Sequence, residues 1–507
     1  MSQDFLLVLP LLLPLYGALM CLLFWQLVKW QAVFAGLTHV SWLLIASLLL
    51  LETINKGVLS TQVGNWPAPF GITLVSDIFS SLMLLASAFI GFAVYLFSLR
   101  GLDRTRMKFG YFPLMLILQM GVSGTCLTGD IFNLYVWFEV MLICCFALIS
   151  LGGKKMQLEG ALKYVTINFL ASGLLLTGVG VLYSLFGTLS LAHLAQLARQ
   201  PDHPNLSLLT IASMFFLTGF GIKSAIFPLF FWLPASYHTP PVAVSAFIAG
   251  LITKVGMYTL IRLYTLVFVS NLDFILPLLL VLSGFTMVIG VVGAAAQTDF
   301  RKILSFHIIS QIGYMLMGLA IYTPLAIAGS VFFILHNILV KTNLFLVSGV
   351  VGQRYHTFAL KNLGGVYARQ PMLALLFLLS ALSLAGLPPF SGFWGKFMLA
   401  SAGFSAGNNL IVATSLFVSL ITLLSMTKIW NEVFLKKKPV YDTPEVETTE
   451  EDIIRNKFLY LPAFFLLALI LFIGFYAQPL IELAQRAATQ LLHSEIYIDS
   501  VMNKGNK

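Results

Sequence analysis

Long apolar runs recur along the whole 507-residue chain. The hydrocarbon core of a bilayer is about 30 Å thick, and a helix of about 20 apolar residues crosses it. With 59% hydrophobic and only 10% charged residues, the chain also has too few charges to cover the surface of a water-soluble protein of this length. It is therefore predicted to be an all-α, polytopic membrane protein with about fourteen transmembrane helices. We place them near residues 4–24, 31–51, 73–98, 110–128, 131–152, 161–186, 207–237, 242–264, 273–294, 301–322, 325–351, 371–402, 408–433 and 457–477.

Basic residues fall mostly in the loops on one side of these helices. The loops on the opposite side hold little more than Lys56 and Arg199 before the C-terminal tail. The positive-inside rule then places both termini outside the cytoplasm, and the loops account for the net charge of +9 without a nucleic-acid partner. The basic residues on the inner side are Lys29, Arg100, Arg104, Arg106, Lys108, Lys154, Lys155, Arg301, Lys302, Arg354, Lys361, Arg369, Lys436, Lys437, Lys438, Arg455 and Lys457.

The seventh and twelfth predicted spans contain helix-breaking residues in the middle of the membrane. Non-helical backbone is tolerated at that depth only where it faces protein or a water-filled cavity. Two interrupted helices five spans apart are typical of a transporter built from two repeats. If each repeat has an odd number of spans, the second copy starts on the opposite side of the membrane and is inverted relative to the first. Alternatively, glycine and proline are simply common in membrane helices. The breakers are Gly219, Gly221, Pro228 and Pro234, then Gly386, Pro388, Pro389, Gly392 and Gly395.

Several ionisable side chains are predicted at mid-membrane depth within the spans. They are Glu139 in the fifth, Lys223 in the seventh, Lys254 in the eighth, Lys341 in the eleventh and Lys396 in the twelfth. A charge at the bilayer centre costs about 2.5–3.5 kcal/mol on insertion scales, so such residues usually mark ion or proton pathways. A static ion pair with Glu139 is the alternative, but one carboxylate cannot pair four lysines. The pattern therefore favours a proton relay.

Two histidines extend this group. His307 shares one face of the tenth span with Gln311 and Tyr314, and that polar stripe suits either proton transfer or hydrogen bonds between helices. His336 precedes Lys341 by five residues, whereas Asn337 shares the face of Lys341. His336 is therefore a less direct candidate for the relay than Lys341.

Signatures of other chemistry are missing from the sequence. It has no phosphate-binding glycine loop, no CxxC pair and no histidines at haem spacing, so no cofactor or metal is expected. We expect a secondary transporter subunit rather than an enzyme. The acidic stretch Val440–Asn456 is predicted to be a cytoplasmic loop, with a docking surface for a partner as the alternative.

Several motifs together resemble the antiporter-like family shared by respiratory complex I and the Mrp-type multisubunit Na+/H+ antiporters. The resemblance covers nearly the whole chain, and the lysine at position 396 favours the Mrp type. The motifs are Gly129-Asp-Ile-Phe-Asn-Leu-Tyr-Val-Trp-Phe-Glu139-Val-Met, the span around Lys223 with Pro228 and Trp232, Leu387-Pro-Pro-Phe-Ser-Gly-Phe-Trp-Gly-Lys396, Gly64-Asn-Trp-Pro-Ala-Pro-Phe-Gly71 and Leu335-His-Asn-Ile-Leu-Val-Lys341.

The resemblance implies two inverted five-helix repeats and a proton path along the middle of the membrane. It implies that Glu139 is the essential glutamate, that Lys223 and Lys254 are relay lysines of the first repeat, and that Lys396 belongs to the second broken helix. Relatives often have a histidine where this chain has Asn337, which leaves the role of His336 open. The implied division is 1–109 for helices 1–3, 110–265 and 266–433 for the repeats, and 434–507 for the acidic loop, helix 14 and the tail.

The expected function is proton translocation within a multisubunit antiporter of the bacterial plasma membrane. The expected partners are other antiporter subunits, protons, Na+ or another monovalent cation, and lipid. Two alternatives remain: a proton-pumping subunit of a redox complex such as complex I or a membrane-bound hydrogenase, and a scaffold whose buried charges are vestigial.

Overall fold

The computed structural model describes residues 3–200, 206–437 and 450–502. Of the predicted acidic loop, residues 440–449 lie outside the described ranges. From Glu450 onward the chain is helical, so the loop ends earlier than the sequence predicts.

The helices follow one another with short connections. Up to the middle of the chain they are α1 (Gln3–Leu23), α2 (Val28–Lys56), α3 (Ile78–Gly101), α4 (Arg104–Lys108), α5 (Tyr111–Leu127), α6 (Ile131–Ser150), α7 (Lys155–Phe186), α8 (Leu191–Leu197), α9 (Leu206–Ser224), α10 (Trp232–Ser236) and α11 (Val242–Leu266). The remainder are α12 (Leu272–Ala296), α13 (Phe300–Ile321), α14 (Pro324–Tyr355), α15 (Val366–Arg369), α16 (Pro371–Ala385), α17 (Ser391–Ser405), α18 (Asn409–Ile429, continued by a π-helical turn at Trp430–Leu435), α19 (Glu450–Phe475), α20 (Gln478–Leu492) and α21 (Glu495–Met502).

Fourteen apolar helices match the predicted spans. Within the described residues, 12 helices are long and apolar enough to cross a membrane, and two shorter apolar helices, α5 and α16, occupy the fourth and twelfth predicted spans. The predicted all-α polytopic fold is therefore confirmed. Three of the helices, α11, α13 and α14, are buried over nearly their whole length and form the centre of the molecule.

A β-hairpin replaces the beginning of the predicted third span. Strand β1 (Leu59–Gln62) pairs antiparallel with β2 (Thr73–Ser76), with Leu59 opposite Ser76. Helix α3 begins only after Asp77, whose carboxylate accepts a hydrogen bond from the backbone N–H of Ser80 at 2.9 Å. A short apolar run that includes β-branched residues fits a strand as well as a helix, which is why the sequence placed this boundary wrongly.

The two repeats share one backbone arrangement at the start of their second helices, α6 and α13. Asp130 caps the N-terminus of α6 and forms an isolated antiparallel bridge with Ser190. Five spans later, Asp299 caps α13 and forms the same bridge with Ala359. An odd number of crossings separates the two bridges, so they lie at opposite ends of the helix bundle.

The long helices α7 and α14 strengthen this correspondence. Each has 32 residues and ends at a residue in the left-handed conformation, Gly187 (φ 64°) or His356 (φ 53°). A threonine follows each of these residues, and its hydroxyl accepts a backbone hydrogen bond from the residue two positions further along. The fold therefore contains two inverted copies of one unit, and we propose 110–265 and 266–433 as their limits, with 1–109 and 434–507 as the flanking segments.

The C-terminal segment covers one end of the bundle. Helix α20 buries an alanine-rich face and packs on α3, α11 and α14. The Gln490 side chain accepts a hydrogen bond from the backbone of Ile78 at 3.0 Å, and Ser60 of β1 donates one to the carbonyl of Ser500 at 2.6 Å. This end of the helix bundle is thus built from both N-terminal and C-terminal segments of the chain.

Candidate functional site

The first broken helix exposes the carbonyl end of α9 inside the protein. Helix α9 ends at Ser224, and Ala225 takes a left-handed conformation (φ 59°). Trp232 of α10 donates from its indole nitrogen to the carbonyl of Ile222 at 2.9 Å. The backbone of Phe227 is satisfied by the hydroxyl of Thr286 from α12 at 3.0 Å. Other protein groups therefore satisfy polar backbone groups near this break, as the membrane requires.

The second broken helix has the same construction. Helix α16 ends before Gly386 (φ 88°), and the backbone N–H of Leu387 bonds to the carbonyl five residues earlier at 3.3 Å, as that of Ile226 does in the first break at 2.9 Å. Lys396 of α17 reaches back and donates to the carbonyl of Ala385 at 2.8 Å. Unpaired carbonyls at a helix C-terminus favour a positive charge, so this end of α16 suits the Lys396 ammonium group.

Glu139 and Lys223 are joined through a third residue. The hydroxyl of Ser172 in α7 donates a short hydrogen bond to the Glu139 carboxylate and accepts one from Lys223 Nζ at 3.3 Å. The Lys223 side chain is buried, with Nζ 5.4 Å from the centre of the Phe138 ring. Glu139 is partly exposed. The structure thus brings this glutamate and this lysine together, with a serine between them.

Lys254 and Lys341 lie in the most deeply buried part of the protein. Both side chains are 0% exposed. Lys254 Nζ donates to the carbonyl of Ala249 at 2.7 Å, and Lys341 Nζ to that of Leu304 at 3.5 Å. Lys341 interacts electrostatically with both Lys254 and Lys396. These three lysines thus form a row whose hydrogen-bond acceptors, among the described residues, are backbone carbonyls rather than carboxylates.

Helix α11 connects this row to the first broken helix. Gly256, two residues beyond Lys254, packs directly on the end of α9. A Cβ atom at this position would overlap the Ser224 hydroxyl. The glycine therefore permits the close crossing that brings the helices of Lys223 and Lys254 together.

The two predicted histidines lie beside the second half of the row. His307 Nε2 is 2.8 Å from the Ser425 hydroxyl in α18, and His336 Nδ1 is 2.9 Å from the Ser391 hydroxyl at the start of α17. Each ring has one nitrogen without a hydrogen-bond partner among the described residues. Both rings interact electrostatically with Lys341 and Lys396.

The polar stripe of α13 faces α18. Tyr314 shares a hydrogen bond of 2.7 Å with Ser419, and Lys396 Nζ lies 4.8 Å from the centre of the Tyr314 ring. Gln311 is fully buried, and neither end of its amide has a partner in the part of the chain that the structure describes. The stripe thus supplies polar groups to the surroundings of Lys396 and His307.

A cavity of about 370 Å³ opens beside the connection between α10 and α11. His238, Lys302 and the Glu159–Lys163 pair line it. His238 Nδ1 is 2.8 Å from the carbonyl of Pro234. Burial, and then the charges of Lys302 and Arg301, lower the pKa of His238 below its ordinary value. Among the described residues, no group of three or more His, Cys, Asp or Glu residues is arranged to hold a metal ion.

Ser172 was missed by reasoning from the sequence, because one serine in a long apolar helix is unremarkable. Aligning α7 with α14 by their matching C-terminal ends identifies the position of Ser172. This alignment places Ser172 at the position that Lys341 occupies in the second repeat, and Asn168 at that of Asn337. Each of these asparagines donates to the carbonyl four residues earlier.

A family model described as NADH:quinone oxidoreductase/Mrp antiporter, TM, matches residues 128–422. The chain belongs to this family of NADH:quinone oxidoreductase and Mrp antiporter membrane proteins. Within the family, an Na+/H+ antiporter subunit of Alkalihalophilus pseudofirmus is 42% identical over 499 residues, 98% of this chain and 99% of that protein. The resemblance predicted from the sequence motifs, including its Mrp-type character, is confirmed.

Two solved structures share the fold over almost the whole chain. A chain of the Mrp complex from Dietzia sp. DQ12-45-1b superposes with a TM-score of 0.90 at 30% identity, covering 99% of each chain. A chain of the membrane-bound sulfane sulfur reductase, an archaeal respiratory membrane complex, superposes with a TM-score of 0.88 at 26% identity, covering 99% of this chain and 100% of that one. The relatives thus include membrane proteins of both an antiporter and a respiratory complex.

Proposed function

We propose that this chain is the proton-translocating subunit of a multisubunit Na+/proton antiporter. The observation that carries the proposal is a set of ionisable groups, most of them buried, that crosses both repeats. Its members are Glu139, Lys223, Lys254, Lys341, Lys396, His307 and His336. The similarity to an Na+/H+ antiporter protein over almost the whole chain supports the choice of reaction.

The row suits proton transfer because its positive groups influence one another. Lys254 and Lys341 are fully buried and Lys396 is partly buried. Lysines in such low-dielectric surroundings repel one another when charged, so protonation of one discourages protonation of the next. A proton entering at one end then favours release at the other. Glu139 at the partly exposed end supplies a carboxylate that can take up or lose a proton, and the free nitrogens of His307 and His336 add two further acceptors.

The complex is proposed to include other antiporter subunits and to lie in the bacterial plasma membrane with both termini outside. The Mrp complex among the similar structures supports the multisubunit form, and the basic loops support the orientation. An epitope at the C-terminus should be stained on intact spheroplasts, whereas one inserted beside Lys361 should be stained only after permeabilisation. The reverse pattern would contradict the orientation.

Transport by the assembled complex tests the function. Everted vesicles carrying Glu139→Ala or Lys223→Ala should lose Na+-dependent collapse of ΔpH while the complex assembles normally. The matched control is the exposed ion pair of Glu52 and Lys56, in which Glu52 Oε2 lies 2.8 Å from Lys56 Nζ. Complexes with Glu52→Ala or Lys56→Ala should transport normally. Full antiport in the Glu139→Ala and Lys223→Ala vesicles would refute the proposal. Li+ and K+ in place of Na+ identify the cation.

A second candidate is a proton-pumping subunit of a redox complex. The similarity to the membrane-bound sulfane sulfur reductase favours it. Neighbouring genes for small hydrophobic antiporter subunits would support the first proposal. Neighbouring genes for peripheral iron–sulfur subunits would support the second.

A further inference from the structure

Among the described residues, the Ser172 hydroxyl bridges the Glu139 carboxylate and the Lys223 ammonium group. It donates to Glu139 Oε1 and accepts from Lys223 Nζ at 3.3 Å. A hydroxyl can donate one hydrogen bond and accept two, so it can hold both contacts at once. Its position lets a proton arrive on one side and leave on the other.

The same hydroxyl has an alternative acceptor. The carbonyl oxygen of Asn168, one turn earlier in α7, lies 3.1 Å from Ser172 Oγ. Because the hydroxyl has a single hydrogen, it bonds to either this carbonyl or Glu139 at one time. When Glu139 is neutral, the carbonyl can receive the hydrogen, and rotation about the Cβ–Oγ bond then resets the bridge.

The surroundings favour a direct transfer through this hydroxyl. The exposed fraction is 3% for Ser172 and 4% for Lys223, and the Phe138 ring covers another side of the ammonium group. Bulk solvent therefore has little access to the contact between Ser172 and Lys223. Removing the hydroxyl therefore interrupts the connection between Lys223 and Glu139.

The repeat provides a second, independent observation. The matched ends of α7 and α14 place Ser172 at the position of Lys341, which lies between Lys254 and Lys396 in the row. The first repeat thus has a hydroxyl where the second has an ionisable amine. A hydroxyl passes protons without carrying a charge itself, which suits a position already beside one cation and one anion.

We propose that Ser172 is a proton-transfer residue linking Lys223 to Glu139; the proposal rests on the proton-transporting function proposed above. An N–H bond of the Lys223 ammonium breaks as its proton bonds to Ser172 Oγ. The original O–H bond breaks at the same time, and that proton bonds to Glu139 Oε1. Lys223 becomes a neutral amine, Glu139 a neutral acid, and Ser172 is again a hydroxyl. The reverse transfer restores both charges.

The test compares Ser172→Ala, Ser172→Thr and wild type in everted vesicles containing the complete complex. The control is Ser184→Ala, because Ser184 lies in the same helix, is exposed, and bonds to the carbonyl of Val181 in its own helix. The measurements are the maximal rate of Na+-dependent ΔpH collapse, the KM for Na+, and the ratio of rates in H2O and D2O. Copurification of the other subunits reports assembly, and Ser172→Gly replaces the alanine variant if that one fails to assemble.

Ser172→Ala should lower the maximal rate by at least about tenfold, leave KM unchanged and raise the solvent isotope effect, since a positioned proton-transfer group is lost. Ser172→Thr, which keeps the hydroxyl, should retain most of the rate, and Ser184→Ala should match wild type. An unchanged rate and isotope effect in Ser172→Ala, with transport lost in Glu139→Ala, would overturn this proposal alone. A threonine variant as impaired as the alanine variant would also overturn it. Retained transport in Glu139→Ala and Lys223→Ala would instead overturn the proposed function.

Discussion

Arg262 of α11 forms a buried ion pair with Asp77 at the start of α3, with Nη2 and Oδ2 2.6 Å apart. The side chains are 8% and 3% exposed. The guanidinium carbon also lies 5.6 Å from the centre of the Tyr258 ring and 5.5 Å from that of Tyr497 in α21. The pair thus joins two spanning helices and the C-terminal segment at a single point.

Asp77→Asn should destabilise the protein markedly. Removing one charge of a buried pair leaves the other unpaired and costs about 3–5 kcal/mol. Asparagine still caps a helix, so the change removes the charge and keeps the cap. The thermal unfolding midpoint of the purified complex, followed by intrinsic fluorescence, should fall.

The control for that measurement is Asp103→Asn. Asp103 also caps a helix, α4, and its carboxylate lies 2.7 Å from Arg106, but its side chain is 51% exposed. Surface pairs contribute about 0–1 kcal/mol, so this midpoint should hardly change. Equal shifts of the unfolding midpoint in both variants would show that the Asp77–Arg262 pair contributes no more stability than the exposed Asp103–Arg106 pair.

Substitutions at the two equivalent helix ends should have opposite effects. Gly187→Ala forces a side chain into the left-handed region and should lower stability by about 1 kcal/mol, while His356→Gly should raise it by a similar amount. Gly173→Ala is the control, because this glycine lies within α7 with open space around it and a substitution there should be neutral or slightly stabilising. Thermal midpoints that move in the same direction for Gly187→Ala and His356→Gly would contradict the equivalence of the two ends.

Lys341→Met should abolish transport without preventing assembly. Methionine keeps the length of the apolar part of lysine and cannot hold a proton, so the row loses its link between Lys254 and Lys396. Na+-dependent ΔpH collapse in everted vesicles should fall to the level of vesicles without the complex. Lys56→Met, at an exposed position, should transport as wild type does. Normal transport by Lys341→Met would remove this residue from the relay.

His238 should remain neutral to a lower pH than an ordinary histidine. Burial lowers its pKa first, and the positive charge of Lys302 lowers it further. Because the folded pKa lies below the unfolded value of about 6.5, the folded protein binds fewer protons between the two values. The stability contribution of His238 is therefore complete above the unfolded value and decreases as the pH falls through this window.

Diethyl pyrocarbonate, which reacts with neutral imidazole, measures this pKa when the His238 peptide is followed by mass spectrometry. Modification should persist below about pH 6.5 in wild type. Lys302→Gln should raise the pH midpoint of His238 modification, because a nearby positive charge is removed. Lys361→Gln, at an exposed position, should leave it unchanged. A midpoint that does not respond to Lys302→Gln would refute the electrostatic cause.

The number of spans and the two broken helices could be predicted because lipid imposes strong rules. Apolar length fixes the spans, and glycine and proline at membrane depth mark the breaks. Hydrophobicity alone could not separate β2 from α3, since a short apolar run fits either. The C-terminal helix α20 escaped notice because its buried face is made of alanines, which carry a weak hydrophobic signal.

The candidate site was predicted as a set of residues, not as an arrangement. Charged residues in apolar runs are visible in the sequence, so Glu139 and the four lysines could be named. Which side chain lies between two of them depends on how helices pack, and the bridge by Ser172 follows from the crossing of α6, α7 and α9. The Asp77–Arg262 pair was missed because both residues lie at helix ends, where charges are ordinary.

The contact between Tyr497 and Arg262 has a consequence for how the chain matures. Among the described residues, the last of the fourteen apolar helices ends at Phe475, and α20 and α21 are synthesised after it. A nascent chain that stops at that point would insert fully and still leave its Asp77–Arg262 pair uncovered. Helices α20 and α21 therefore complete the cover of this ion pair, and a membrane protease could distinguish copies truncated after Phe475 by their uncovered pair.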